Sequence, residues 1–263
     1  MNYWTLLSTS LLLYLIPSFS LVTKKMSSQL NYRLLGAGLV SHFSLIYISL
    51  FSEGINLNFS NALLMISWIT IFFYWLMNRS KDYEGLEYLT LVPAIIVLIS
   101  HPFIHPAHYV SELFTITAAL HIIIAILGYS LLAFGAIFSI FILLIESNIH
   151  ATHKTAEIFR SNVSLLEMEE VLFKIYWIGF ALLTITLISG IFFSEEVMGV
   201  ALTITHKIIF SILSWLVYAG LLFGRSQAGW RGKKAIKFSL FAFALLFLSY
   251  LGSKFVLEII IGR

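Results

Sequence analysis

The sequence predicts an all-α fold, a polytopic membrane bundle of about eight transmembrane helices, and three observations carry that prediction. Of 263 residues, 59% are hydrophobic and only 11% charged, with a mean hydropathy of +0.93. A soluble chain of this length needs more polar surface to cover itself. The apolar residues gather in eight stretches, 3–22, 33–52, 59–77, 88–100, 118–145, 171–193, 208–224 and 236–258, most of them near the ~20 residues that cross a hydrocarbon core. The basic residues then fall overwhelmingly on one side of the bilayer. No soluble domain fits between the stretches, so residues 1–263 read as a single integral membrane domain.

The first stretch resembles a signal peptide in position only. No basic residue precedes it, it offers no small-x-small cleavage site, and Lys24 and Lys25 follow it, which predicts a retained, reversed anchor. The fourth stretch, at 13 residues with Pro93 inside it, predicts a short or broken helix. Before the sixth, "SLLEMEE" puts Glu167 three residues after Ser164. This is a capping box that predicts a short interfacial helix launching the span, with partner docking as the lesser use.

Orientation follows from charge. Lys24, Lys25, Arg33, Arg79, Lys81, Lys154, Arg160, Lys174, Arg225, Arg231, Lys233, Lys234 and Lys237 lie in or beside the odd-numbered loops, against Lys207, Lys254 and Arg263 on the other side. The positive-inside rule then places both termini outside and loops 23–32, 78–87, 146–170 and 225–235 in the cytoplasm. The net charge of +3 and pI near 9.0 are read as topology signals rather than nucleic-acid binding. With no cysteine in the chain, disulfides, thiolate metal sites, iron–sulfur clusters and a cysteine-attached haem are excluded.

The histidines carry the functional signal. His101, His105 and His108 fall in an outer loop, His121 at the outer end of the fifth span, and His206 at the outer end of the seventh. His42 is mid-membrane, where an ionisable group normally faces the bundle interior. His150 and His153 read as a solvated cytoplasmic loop. After His121, the small residues Ala125, Gly128, Gly135 and Ser139 share one helical face, flat enough for another helix or for a planar ligand. Two imidazoles on separate helices, His121 and His206, suit the axial positions of a haem iron, with Phe192, Phe193, Phe210, Trp215 and Tyr218 available as apolar walls. Snorkelling to the interface is the simpler alternative. "HPFIHPAHY" (101–109) raises a three-imidazole zinc site, against which Pro102 and Pro106 break the helical spacing. No hydrolase order, phosphate loop or paired catalytic carboxylate stands out, so no enzymatic step is expected.

Five stretches resemble a known family. "LHIIIAILGYSLLAFGAIFSI" (120–140) is similar to the histidine-bearing helix of the cytochrome c assembly superfamily, the CcsA/CcmC/HemX-like proteins. "GFALLTITLISGIFF" (179–193) is similar to the helix leading into that family's haem-handling outer loop. "HKIIFSILSWLVYAGLLFGRSQAGWRGKKA" (206–235) and "LSYLGSKFV" (248–256) look like its inner-membrane YpjD branch. "NLNFSNALLMISW" (56–68) resembles the segment after the family's second helix, and the match is strongest over 118–258. The resemblance implies a bacterial cytoplasmic (inner) membrane protein that handles haem, as haem b, at the outer face in support of cytochrome c assembly. It implies His121 as an axial ligand; His206 is the candidate second ligand by position, and His42 a deeper alternative. Apocytochromes or other maturation proteins would be partners.

Departures qualify the implication. The loop "SEEVMGVALTIT" (194–205) lacks the Trp-rich, Asp-ended motif of the family's haem exporters, "LEIIIGR" lacks their late histidine, and Phe223 stands where they carry another. A fold can be kept while an activity is not. The alternative function is therefore a non-haem accessory or regulatory subunit of another inner-membrane protein such as a transporter. The basic segment "RSQAGWRGKKAIK", also a site for anionic headgroups, would then serve docking. A secondary transporter fits less well, since no internal repeat is evident.

Overall fold

A computed structural model describes residues 2–23, 27–51, 55–79, 83–104, 115–149, 159–192 and 205–260. Among these, eight α-helices account for nearly all of the chain: α1 (Tyr3–Thr23), α2 (Ser28–Phe51), α3 (Phe59–Met77), α4 (Leu86–Ser100), α5 (Ile116–Ile149), α6 (Leu165–Phe192), α7 (His206–Ala228) and α8 (Gly232–Phe247). Seven of the helical segments are long and apolar enough to cross a membrane, and α1 contributes a shorter apolar run, Tyr3–Phe19. The fold is thus the all-α polytopic bundle that the hydropathy predicts. Contacts divide it into two compact units, Met1–Tyr109 with Ile140–Leu165, and Val110–Ser139 with Leu166–Arg263.

In the first unit α1 packs on α2 and α4, and α3 on α2 and α4. Leu35, Leu45, Leu64, Ile71, Leu91 and Leu98 form its core. The α1–α2 seam is close because Gly38 lies against Tyr14, whose ring carbon would stand 2.6 Å from any added Cβ. Helix α4 is continuous through Pro93, not broken. The proline lies on the exposed face, where its ring and missing N–H disturb no core contact. A 3₁₀ turn, His101–Phe103, then extends the helix, bringing the span to 18 residues, Leu86–Phe103. At the other end, β1 (Tyr83–Glu84) and β2 (Arg160–Ser161) pair antiparallel, joining the segments that precede α4 and α6.

In the second unit, α5 and α6 meet through glycines. Added Cβ atoms would fall 3.0 Å from Leu182 at Gly128, 2.6 Å from Tyr176 at Gly135, and 2.5 Å from Leu132 at Gly179. The small-residue face of α5 is therefore filled by a helix rather than a planar ligand, which is how such stripes commonly pack in membranes. Helix α6 runs unbroken from Leu165, so the segment after Ser164 runs straight into the sixth span as its first turns. α7 packs on α8 and on the π-helical turn that follows α8, Leu248–Gly252, which in turn contacts a second one, Phe255–Ile260. Gly229, at φ 62°, ends α7, and the Trp230 N–H closes onto the Gly224 carbonyl at 3.1 Å.

Candidate functional site: a half-open imidazole on α5

The histidines differ in what their neighbours leave free. His101 is buried, not in an outer loop, because Pro102 sits at the start of the 3₁₀ turn and lets the helix axis continue. The Asn61 amide fixes its state. Asn61 Nδ2 donates to the Asn56 carbonyl at 2.8 Å and to the Ser49 carbonyl at 3.3 Å. Its Oδ1 therefore faces the ring and accepts, from Ser49 Oγ at 2.7 Å and from His101 Nε2 at 3.0 Å. A neutral imidazole has one N–H, so Nδ1 accepts, here from Tyr3 OH at 2.5 Å. Asn61 is held in turn by Asn58, the N-cap of α3, whose Oδ1 accepts its backbone N–H at 2.7 Å. Both nitrogens of His101 are engaged.

His42 is fully buried in α2. Its Nδ1 lies 3.3 Å from Tyr14 OH, and its Nε2 has no hydrogen-bond partner among the described residues. Beside it Ser41 Oγ donates to the Leu6 carbonyl at 3.2 Å and accepts from Ser10 Oγ at 2.9 Å. The bare nitrogen is sealed inside the helices.

His121, near the start of α5, is only partly exposed. Its Nδ1 lies 2.8 Å from Ser189 Oγ on α6. Nothing among the described residues bonds to its Nε2. Gly190 faces the ring, and a Cβ there would stand 3.4 Å from His121 Cε1. His206, the first residue of α7, is exposed. No hydrogen bond or ring contact joins it to His121 among the described residues. His105, His108, His150 and His153 lie outside the described residues, so of the "HPFIHPAHY" set only His101 is placed, facing inward. Among the described residues no three His, Asp or Glu side chains cluster.

The aromatic walls expected around a ligand divide. Trp215 stacks on Phe180 at 5.5 Å and donates from Nε1 to Thr184 at 2.9 Å, while Tyr218 is buried 5.6 Å from Tyr176. Both are spent on α6. Phe192 remains 77% exposed and Phe210 partly exposed, and Phe193 lies outside the described residues. The basic segment after α7 is also held within the chain. Arg225 lies 3.7 Å from Glu169 and 4.5 Å from the Phe173 ring centre, Glu169 accepts the Gly232 N–H at 2.8 Å, and Trp230 fills the notch at Gly224. That leaves less of the segment for an outside partner than its sequence suggests.

Sequence reasoning found His121 and His42 but missed Ser189, Tyr3, Ser49 and Asn61, which settle what the rings can do. Asn61 lies within "NLNFSN" and Ser189 within "GFALLTITLISGIFF", but neither stretch points to a particular partner.

Comparison with known proteins fits this architecture. The cytochrome C assembly protein family matches residues 32–261. "Inner membrane protein YpjD" of Escherichia coli (strain K12) is 29% identical over 156 residues, 59% of this chain and 58% of that protein. "Cytochrome c biogenesis protein CcsA" of Chlamydomonas reinhardtii is 29% identical over 139 residues, 53% of this chain and 38% of that protein. The protein of that name from Prochlorococcus marinus (strain MIT 9301) is 27% identical, over 52% of this chain and 50% of that protein. The chain thus spans roughly two-fifths to three-fifths of these relatives' length. With the family matched over most of its length, this multi-pass membrane protein belongs to the cytochrome c assembly family.

Proposed function

We propose that the protein holds haem at the outer face of the cytoplasmic membrane, with His121 Nε2 as an axial ligand, and supports cytochrome c assembly there. The observation that supports this is the state of the His121 ring: one nitrogen is tethered to Ser189, nothing among the described residues bonds to the other, and the ring is partly exposed. A ligating imidazole needs that arrangement. His101 has no free nitrogen, and the free one of His42 is sealed. Family membership supports a place in cytochrome c biogenesis, and the Lys and Arg distribution supports the outer face and external termini.

When bound, haem supplies an iron centre whose axial position an imidazole can fill. The chain's own task is to hold and orient it. Lacking cysteine, the protein would keep the porphyrin by ligation and packing alone, hence as haem b. His206 is the candidate second ligand, and the exposed Phe192 ring offers apolar cover near α6's end. The reading gives the chain no bond-making step on a substrate. The acceptor would be an apocytochrome or another maturation protein.

Optical spectra of detergent-purified protein with added haemin, oxidised and dithionite-reduced, test the reading. The expected result is a Soret band and a sharp reduced α-band in the wild type, lost in His121→Ala and shifted in His206→Ala. Protein that ignores haemin, or a His121→Ala spectrum like the wild type's, contradicts it.

A further inference from the structure

We propose that Ser189 is the positioning residue of this site: it holds His121 as the Nδ1–H tautomer and so reserves Nε2 for the ligand. The inference deepens the haem reading and rests on it only for what Nε2 takes up. A serine hydroxyl has one proton to give. Ser189 Oγ donates it to the Thr186 carbonyl at 3.1 Å, one turn back along α6, a common bond for serine within a helix. Toward His121 Nδ1, 2.8 Å away, the same oxygen is left to accept. The imidazole proton therefore sits on Nδ1, and Nε2 keeps a bare lone pair.

The neighbouring glycine complements this. Gly190 comes to within 3.4 Å of His121 Cε1, measured from the Cβ it lacks. Cε1 is the carbon between the two nitrogens, so a larger side chain at 190 would press on the ring edge that leads to Nε2. The contrast within the same chain is instructive. At His101 it is Nε2 that faces acceptors, the Asn61 amide oxygen at 3.0 Å and, beside it at 3.2 Å, the Ser49 oxygen whose proton goes to Asn61, and the tautomer is reversed. The two sites use the same side chain in opposite protonation patterns because their neighbours offer different lone pairs. If Ser189 instead donated to Nδ1, His121 would carry its proton on Nε2 and would have to lose it before ligating.

Long-range nitrogen–proton correlation spectra of ¹⁵N-histidine-labelled, haem-free protein test this, with His121→Ala assigning the signal. The expected result is a protonated Nδ1 and an unprotonated Nε2 at His121. Ser189→Ala is expected to lose that preference and Ser189→Thr, which keeps the hydroxyl, to restore it. Haemin titration of the same variants is expected to show at least about tenfold weaker binding for Ser189→Ala, the usual cost of removing a ligand's hydrogen-bond partner, and recovery in Ser189→Thr. A wild-type His121 protonated on Nε2, or a Ser189→Ala variant with an unchanged tautomer, overturns the proposal. The expected tautomer pattern in a protein that binds no haemin upholds the Ser189 role and sinks the haem reading, so the two failures are distinguishable.

Discussion

His101 has spent both nitrogens, on Tyr3 and Asn61; among the described residues nothing bonds to the second nitrogen of His42, which is fully buried, or to that of His121, which is partly exposed. At the residue scale the difference lies in the neighbours, and it yields a prediction for a histidine outside the site. His101→Ala removes a buried ring and leaves Tyr3, Ser49 and Asn61 short of a partner, so it should destabilise the fold by about 1–3 kcal/mol. Thermal unfolding in detergent checks this, and the spectrum of haem-loaded protein should stay unchanged. A lost Soret band would make His101 a ligand and contradict the assignment. The sequence makes His101 look like a loop residue because Pro102 follows it. What it does not reveal is that the α4 axis carries on through a 3₁₀ turn and brings the ring to Asn61, 40 positions away. Ser189 was hidden for the same reason: its partner is 68 residues distant.

At the element scale, the α5–α6 pair shows how far periodicity reaches. The spacing of Gly128 and Gly135 showed that one face of α5 is flat. Only the packing shows that Leu182 and Tyr176 of α6 fill it. Tyr176 has little room to give, because its hydroxyl donates to the Gly135 carbonyl at 3.1 Å and lies 2.7 Å from Ser139 Oγ. Gly135→Ala places a methyl 2.6 Å from that ring and should cost about 1–3 kcal/mol, the usual range for overpacking. Gly220→Ala on α7, where nothing lies within 4 Å of the added carbon, should leave stability unchanged or raise it by up to about 1 kcal/mol. Melting temperatures of the two variants compared side by side decide it. Equal values would mean that the α5–α6 approach is looser than described. Helix α4 teaches the converse lesson. Pro93 in a 13-residue run predicted a short or broken helix; α4 has 15 residues and no break, because the proline lies on the exposed face and leaves the core side intact.

At the scale of the molecule, the eight helices among the described residues were legible because each buries a run of apolar residues, which hydropathy measures directly. The family was legible from helices α5 to α8, and its match over residues 32–261 extends through the earlier spans. The division into two units was not legible, since no change of composition or linker marks it; the 34-residue α5 runs through the boundary. Rescue by free imidazole tests whether His121 ligates the iron of a haem carried by this chain: His121→Gly leaves room for the missing ring, and spectra of the haem-loaded variant are recorded with and without imidazole in the buffer. The wild-type Soret and reduced α-bands are expected to vanish in the variant and to return when imidazole is added. A variant that keeps the wild-type spectrum without imidazole would show that another residue holds the iron.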